Sequence, residues 1–190
     1  VLFRSHGPMP DIVAHGKKPN VNGCAQCHLS NGQGHPESSN LTGQPAGYLE
    51  EQLHEFKNGN RASMLPGRSN NMIRFAQNMT DDEIKAAAEY FGAMKWTPWI
   101  KVVEAKMVPK AKPSNGLFIV EGKEMEPLGM RILETPIDGE ATEIKRDPRS
   151  SFTAYVPVGS IKKGEALVTK GGGKTIACAS CHGADLKGIG

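Results

Sequence analysis

Apolar residues recur at helical spacing in three segments of the first hundred residues. The stretch PDIVAHG begins with residues suited to a first helical turn and ends at Gly16, and AGYLEEQLHEFKNGN has Gly59 as a candidate C-cap. In MTDDEIKAAAEYFGAMKW, Thr80 and Glu83 have the spacing of a capping box, and acidic residues fill the first turn. These patterns predict three helices that pack through their apolar faces.

The pattern changes beyond Trp96. Residues 97–115 are rich in Pro, Lys and Val, which is typical of an extended linker. The next three apolar segments are short, β-branched or aromatic, and bounded by Gly and Pro, so they predict strands of a small sheet: GLFIVEG, MRILETP and FTAYVPV. Helical spacing returns in GSIKKGEALVTKGGG, where Ser160 is a candidate N-cap.

The composition is that of an ordinary folded protein, with 190 residues, 38% hydrophobic and 23% charged. This length allows one domain of usual size or two small ones. The formal net charge of +3 is too small to indicate nucleic-acid binding, and no apolar stretch approaches the ~20 residues that span a bilayer. The chain does not begin with Met and has no signal-peptide pattern, and we interpret it as a fragment of a longer protein.

All four cysteines lie in two pentapeptides of the same form, CAQCH at residues 24–28 and CASCH at residues 178–182. Each pentapeptide follows an apolar helical segment, a glycine and a short loop. The chain therefore contains a repeated unit, and we expect its second copy to begin near residue 159.

The spacing within each pentapeptide fits covalent attachment of haem. Cysteines three positions apart place both sulfurs on one side of a helical turn, where each thiol can add to a vinyl group of a porphyrin. The adjacent histidine can then ligate the iron. The sequence predicts two copies of covalently bound haem c, and the cofactor-binding residues are Cys24, Cys27, His28, Cys178, Cys181 and His182.

Three alternatives use the same cysteines. A four-cysteine zinc site usually has its pairs ~15 to 20 residues apart, whereas about 150 residues separate these pairs. A thioredoxin-like redox pair needs a βαβ context, which these glycine-rich loops do not supply. Disulfides within each pair would be strained and would leave both histidines unexplained. Haem attachment accounts for the cysteines and histidines of both pentapeptides.

Four stretches resemble the class I c-type cytochromes in their two-domain, two-haem form: CAQCH, the following NGQG, NLTGQPAGYLEEQL and the helix after NMTDDEI. The resemblance implies a mainly α fold with a first haem domain over residues 1–98. A linker or insertion with short strands then covers residues 99–158, and residues 159–190 begin a second haem domain, inside which the chain is truncated. In this family the first and last helices cross beside the haem.

The resemblance also implies the axial ligands of the iron. The proximal imidazole, here His28, often donates to a backbone carbonyl at a position that is usually proline, and Ser39 still offers that carbonyl. The distal ligand of the family is a methionine in the loop before the last helix, and Met72 lies at the usual distance from Thr80. The other candidates are more simply explained as core or surface residues: Met64, Met79, His15, His35 and His54.

For the second haem, the resemblance implies His182 as the proximal ligand and leaves the distal ligand open. The segment GADLKGIG that follows His182 holds no methionine. The upstream methionines of the insertion are poor candidates: Met107, Met125 and Met130. The predicted iron ligands are therefore His28, Met72 and His182.

Two protein ligands on one iron leave no position for a substrate, so the pattern favours an electron carrier without catalytic residues. By the resemblance, we expect a periplasmic protein whose partners are redox proteins of the dehydrogenase or terminal-oxidase type. The alternatives are a cytochrome subunit of a dehydrogenase complex, a dihaem peroxidase and, third, a redox sensor. The linker lysines either steer an acidic partner or only solvate a spacer: Lys101, Lys106, Lys110 and Lys112.

Overall fold

The computed structural model describes residues 8–62 and 71–188. The described residues are 35% helix and 24% strand. They divide into two compact units, the first of Val1–Trp99, Asn115–Leu117 and Pro136–Ser151, and the second of Ile100–Ser114, Phe118–Thr135 and Phe152–Gly190. The mainly α fold that the sequence predicts is therefore only partly correct, because β-branched and aromatic residues beyond Trp99 form strands.

The first unit contains most of the helices. It begins with the short helix α1 (Asp11–Ala14) and an antiparallel pair of strands, β1 (Gly16–Lys17) and β2 (Val21–Asn22). Helix α2 (Cys24–His28) carries the first pentapeptide. Three longer helices follow, α3 (Ala46–Lys57), α4 (Asn71–Gln77) and α5 (Asp81–Gly92). The three helices that the apolar pattern predicts correspond to α1, α3 and α5.

One apolar core joins the helices of the first unit. Close approaches of backbone at Gly23 and Gly92 let the helices meet: a Cβ at Gly92 would lie 2.7 Å from the Cα of Ala46, and a Cβ at Gly23 would lie 2.7 Å from the carbonyl oxygen of Ala14. These contacts hold α5 against α3 and α2 against α1. The buried members of the core are Ile12, Val13, Val21, Leu49, Met79, Ile84, Ala87, Ala88 and Phe91.

The start of α5 is fixed by the capping box that the sequence predicts. The Glu83 N–H donates to the Thr80 hydroxyl at 3.2 Å, and the Thr80 N–H donates to the Glu83 carboxylate at 2.7 Å. Lys57 at the end of α3 adds a second connection, because its ammonium donates to the Met79 carbonyl at 3.0 Å and to the Asp81 carboxylate at 2.8 Å. The turn before α5 is thus held from both sides.

We expect Thr80→Ala to lower the free energy of unfolding of the first unit by about 1 kcal/mol, because the Glu83 N–H loses its acceptor. Thr80→Ser keeps the hydroxyl and should behave nearly as the wild type. Chemical denaturation of the haem-loaded protein measures the difference as a shift in midpoint at unchanged slope. Equal midpoints for the two variants would show that the capping box does not stabilise the folded protein.

The second unit is built mainly from strands. Strands β3 (Ile100–Glu104), β6 (Leu133–Pro136) and β7 (Phe152–Val156) form one sheet in the order β3-β7-β6, in which β3 and β7 run parallel. Strands β4 (Met107–Ser114) and β5 (Leu117–Pro127) pair separately. A small core lies among Val108, Leu128 and Leu133. The unit ends in helices α7 (Ser160–Lys170) and α8 (Ala179–His182), whereas α6 (Gly139–Glu143) belongs to the first unit.

The sequence predicted the three strand segments correctly. Residues 97–115 are largely extended as expected, but residues 100–104 and 107–114 are paired strands instead of a free linker. In the helices of residues 8–62 and 71–188, no segment combines the length and apolar character needed to cross a membrane.

The predicted cap at Ser160 is wrong. Ser160 is the first residue of α7, and the N-cap position before it is Gly159, which has no side chain to cap the helix. The helix is capped instead by the Glu104 carboxylate of β3, which accepts a hydrogen bond from the Ile161 N–H at 2.8 Å. Hydrogen bonds from the backbone of Ile161 and Gly159 lower the pKa of Glu104. Since the cap comes from a distant strand, the local sequence of α7 does not reveal it.

Candidate functional site

Helix α2 places Cys24, Cys27 and His28 within a single short helix. Both thiols are free. Burial is the largest cause that raises the pKa of Cys24 to about 11, and burial also raises the pKa of Cys27. The Cys24 Sγ lies 3.6 Å from the carbonyl oxygen of Ile12 on α1. Two neutral, half-buried thiols therefore lie beside one imidazole.

The orientation of His28 is set by one hydrogen bond. Its Nδ1 lies 2.8 Å from the backbone carbonyl oxygen of Ser39. A carbonyl can only accept, so Nδ1 carries the proton and Nε2 keeps its lone pair. Burial lowers the pKa of His28, and the hydrogen bond to Ser39 opposes that shift, so the ring is neutral at pH 7. A neutral imidazole with a free Nε2 is the form that ligates a metal.

The loop after His28 is shaped by residues with positive φ. Leu29 has φ 62° and Gly34 has φ 71°. The Gly34 N–H donates to the carbonyl of His28 at 2.9 Å, and a Cβ on Gly34 would lie 2.5 Å from the carbonyl oxygen of Ser38. The Ser38 N–H in turn donates to the carbonyl of His35 at 2.9 Å. This tight fold returns the chain to the imidazole and needs glycine at position 34.

A polar network fixes the same loop. The Tyr90 hydroxyl donates to the carbonyl of Ser30 at 2.6 Å, and desolvation raises the pKa of Tyr90 to about 12, so the phenol keeps its proton. The Gln33 amide donates to the Thr97 hydroxyl at 2.6 Å and accepts from the Asn40 amide at 2.6 Å. None of these four side chains was predicted from the sequence as part of the site. Their only signal was the unusual density of amide and hydroxyl residues around the glycines.

Helix α5 supplies an aromatic wall next to His28. The Phe91 ring lies edge-on to the imidazole, with ring centroids 6.3 Å apart, and only 3% of Phe91 is exposed. Tyr90 makes a similar contact with Phe91 at 5.0 Å. Helix α5 therefore lies beside the histidine that α2 carries.

The candidate distal methionines fall in different environments. Met72 is half-buried in the first turn of α4, so it lies in a helix and not in the loop that the resemblance implies. Met79 is 5% exposed and packs in the apolar core, which agrees with its interpretation as a core residue. Met64 lies outside the described residues.

The candidate distal histidines also differ. His15 is exposed and pairs with Asp11 at 2.8 Å. His54 is half-buried on α3. His35 is buried and contacts Glu37 and Arg146. For His15 and His35, these side-chain contacts supply a simpler role than iron ligation.

The second pentapeptide lies in the other unit, with Cys178 at the N-cap of α8 and Cys181 and His182 exposed. Its backbone repeats the first. The Gly188 N–H donates to the carbonyl of His182 at 2.8 Å, as the Gly34 N–H does to His28.

The glycine that precedes each pentapeptide is also equivalent. Gly16 has φ 70° and Gly171 has φ 71°. Each packs so closely on a carbonyl oxygen, that of Val21 or of Thr175, that a Cβ has no room. Both pentapeptides thus follow the same kind of turn, although the two sequences around them differ.

The residues of α2 fit a covalently attached haem. They offer two free thiols and a neutral imidazole whose Nδ1 is hydrogen-bonded, so that its Nε2 can bind iron. Within residues 8–62 and 71–188, no group of three or more His, Cys, Asp or Glu side chains could hold a metal ion by itself. An iron at this site would therefore depend on a porphyrin for most of its ligands.

The part of the chain around the first pentapeptide is similar in sequence to known proteins. The sequence profile of the family Cytochrome c matches residues 13–95. Cytochrome c-554(548) of Halomonas halodenitrificans is 36% identical over 73 residues, which are 38% of this chain and 84% of that protein. The cytochrome subunit of sulfide dehydrogenase from Chlorobaculum tepidum is 38% identical over 69 residues, which are 36% of this chain and 57% of that protein. The chain therefore spans little more than half the length of the latter relative.

Among solved structures, thiosulfate dehydrogenase (TsdBA) from Marichromatium purpuratum has a TM-score of 0.50 and 20% sequence identity, over 95% of this chain and 27% of that chain. At this identity the likeness concerns the fold alone. The chain belongs to the cytochrome c family. It is accordingly an electron-transfer haem protein with a covalently bound haem c.

Proposed function

We propose that this chain carries electrons through two haem c groups. Cys24 and Cys27 would attach the first haem, and His28 and Met72 would ligate its iron. Cys178 and Cys181 would attach the second haem, and His182 would ligate its iron. The hydrogen bond from His28 Nδ1 to the Ser39 carbonyl, at 2.8 Å, is the observation that carries the proposal, because it leaves Nε2 free for the iron.

The residues of the first unit have separate roles in this proposal. When bound, haem c supplies an iron that changes between the ferric and ferrous states by one electron. Ser39 orients His28, and burial keeps the imidazole neutral and ready to bind. Met72 would ligate the iron through its thioether, which would favour the ferrous state and leave no position for substrate. The proposed role is therefore electron transfer without catalysis.

Two haems require two attachment units, and the repeated backbone geometry around His28 and His182 supports them. We accordingly propose a first haem domain over residues 1–98, an insertion over residues 99–158 and the beginning of a second haem domain over residues 159–190. The haem would cover the exposed Cys181 and His182.

For the partner we propose a redox protein of the dehydrogenase or terminal-oxidase type, met in the periplasm. The relative that is the cytochrome subunit of a sulfide dehydrogenase supports the first choice. Steering by the lysines of residues 97–115 has less support, because Lys110 pairs with Glu124 at 2.8 Å and Lys112 pairs with Glu121 at 2.6 Å. Carriers of this kind usually bury less than ~1,200 Å² when they meet a partner.

Counting electrons tests this proposal. The protein, matured in a host that attaches haem c, should take up and return two electrons per chain in a reversible redox titration. A variant with Cys178→Ala and Cys181→Ala should exchange one electron. Ferric haem in the full chain should show the charge-transfer band of methionine ligation. A high-spin ferric haem that turns over peroxide would instead support the dihaem peroxidase, and a single electron in the wild type would refute the second haem.

A further inference from the structure

A segment from the predicted insertion packs on the loop that orients His28. Residues 136–151 belong to the first unit, together with residues 1–99. The Asn31 amide, in the loop after the pentapeptide, donates to the carbonyl of Pro148 at 2.6 Å. We call residues 136–151 the clamp segment.

The clamp segment has its own rigid structure. Asp138 caps α6 by accepting a hydrogen bond from the Ala141 N–H at 2.9 Å. The hydroxyls of Thr142 and Ser150 form a buried pair at 2.6 Å, and Ser150 also donates to the carbonyl of Asp138 at 3.2 Å. These bonds fix the two ends of the segment relative to each other.

Arg146 follows α6 in a backbone conformation that is unusual for a residue with a side chain, with φ 49°. Glycine is the usual residue at such a position after a helix. Backbone strain of this kind is often retained where the side chain has a role. The Arg146 guanidinium lies 2.8 Å from the Nδ1 of His35, which is buried.

The Nδ1 of His35 faces both the Arg146 guanidinium and the Glu37 carboxylate. A guanidinium can only donate, so the 2.8 Å contact with Arg146 uses the lone pair of Nδ1 in the tautomer whose ring proton is on Nε2. Glu37 lies 3.2 Å from the same nitrogen and 3.8 Å from the guanidinium. Burial raises the pKa of the Glu37 carboxyl, and the contact with His35 and the charge of Arg146 both lower it.

The same residues lead directly to the proximal ligand. His35 begins the turn in which its carbonyl accepts from the Ser38 N–H, and the next residue, Ser39, accepts from His28. Burial is the largest influence on the pKa of Cys27, but the positive charge of Arg146 lowers that pKa and the negative charge of Glu37 raises it.

We propose that Arg146 is a positioning residue for the first haem: it anchors His35, keeps the Ser39 carbonyl on His28 and places a positive charge beside the loop that follows the attachment site at residues 24–28. The inference rests on the proposed haem at that site. A positive charge near the iron favours the ferrous state, and a firmly held carbonyl slows exchange of the His28 Nδ1 proton. A residue of the predicted insertion would then influence the redox potential of the haem that residues 1–98 bind.

Arg146→Gln in the full, haem-loaded chain tests this role. We expect its midpoint potential to be lower than that of the wild type, and exchange of the His28 Nδ1 proton, measured by NMR in the reduced state, to be several-fold faster. Lys145→Gln is the matched control, because it removes the same charge from the neighbouring residue, whose ammonium pairs with Glu140 at 2.9 Å. That control should match the wild type in both measurements.

Covalent haem content distinguishes a failure of the proposed function from a failure of the role of Arg146. A wild-type protein without haem at residues 24–28 would refute the proposed function itself. If haem is present and Arg146→Gln equals Lys145→Gln in potential and exchange rate, Arg146 has no positioning role. Should Arg146→Gln fail to mature, Arg146→Lys keeps the charge with a different donor geometry. It should exchange the proton faster than the wild type at a nearly unchanged potential, and wild-type exchange in that variant would overturn the inference.

Discussion

Replacing Cys24 and Cys27 together by alanine is expected to leave the first unit largely unfolded. The apolar core of this unit is small, because its buried cluster in the described residues has nine members, of which only Phe91 is aromatic. Domains of this size bury too little apolar surface to be very stable, and a haem supplies contacts that the polypeptide lacks. Far-UV circular dichroism should therefore lose most of the helical signal, and proteolysis within α3 and α5 should become rapid.

The matched control is the double replacement of Cys178 and Cys181 by alanine. It removes the same chemistry from the other unit, so the helical signal of the first unit and its attached haem should persist. A near-native spectrum for the variant with alanine at positions 24 and 27 would mean that the first unit folds without its cofactor.

Met72→Leu is expected to lower the midpoint potential of the first haem by on the order of 0.1 V or more. Axial ligation spans roughly 0.8 V among haem proteins, and the substitution removes a thioether while it keeps a similar volume. The charge-transfer band of methionine ligation should disappear, and the ferric protein should bind added imidazole. Redox titration with absorption spectroscopy measures all three effects.

Met79→Leu is the control for Met72→Leu. Met79 is buried in the core, so a similar apolar residue should cost less than about 1.5 kcal/mol in stability and leave the charge-transfer band in place. If the band is lost in the Met79 variant and kept in the Met72 variant, the assignment of the distal ligand is reversed.

Local patterns in the sequence were sufficient for α1, α3, α5 and α7, but they did not indicate α4 or α6. Thr80 and Glu83 form the capping box because both partners lie within one helical turn. Gly16 and Gly59 follow α1 and α3 with positive φ, as expected for residues that end helices. In each case, the signal and the structure that it predicts lie within a few residues of each other.

The features that the sequence did not predict depend on contacts between distant residues. The cap of α7 comes from Glu104, and the partner of Asn31 is Pro148. Neither pairing leaves a local periodicity. Residues 100–104 were interpreted as part of a linker because nothing in their sequence indicates that β7, about fifty residues later, pairs with them.

The candidate site was predicted through its chemistry more than through its fold. The pentapeptide alone identifies Cys24, Cys27 and His28, because few sites need two thiols and an imidazole at this spacing. The resemblance also indicated the Ser39 carbonyl, which the structure places 2.8 Å from His28. The role of Arg146 could not be predicted, because this residue contacts His35, in the loop after His28, only when the clamp segment is folded.

Peptide mapping by mass spectrometry tests the central claim most directly. In protein matured by a host that attaches haem c, the peptide with residues 24–28 and the peptide with residues 178–182 should each carry the mass of one haem. All other peptides should be unmodified. If both pentapeptides are recovered without added porphyrin, the chain does not transfer electrons in the way proposed.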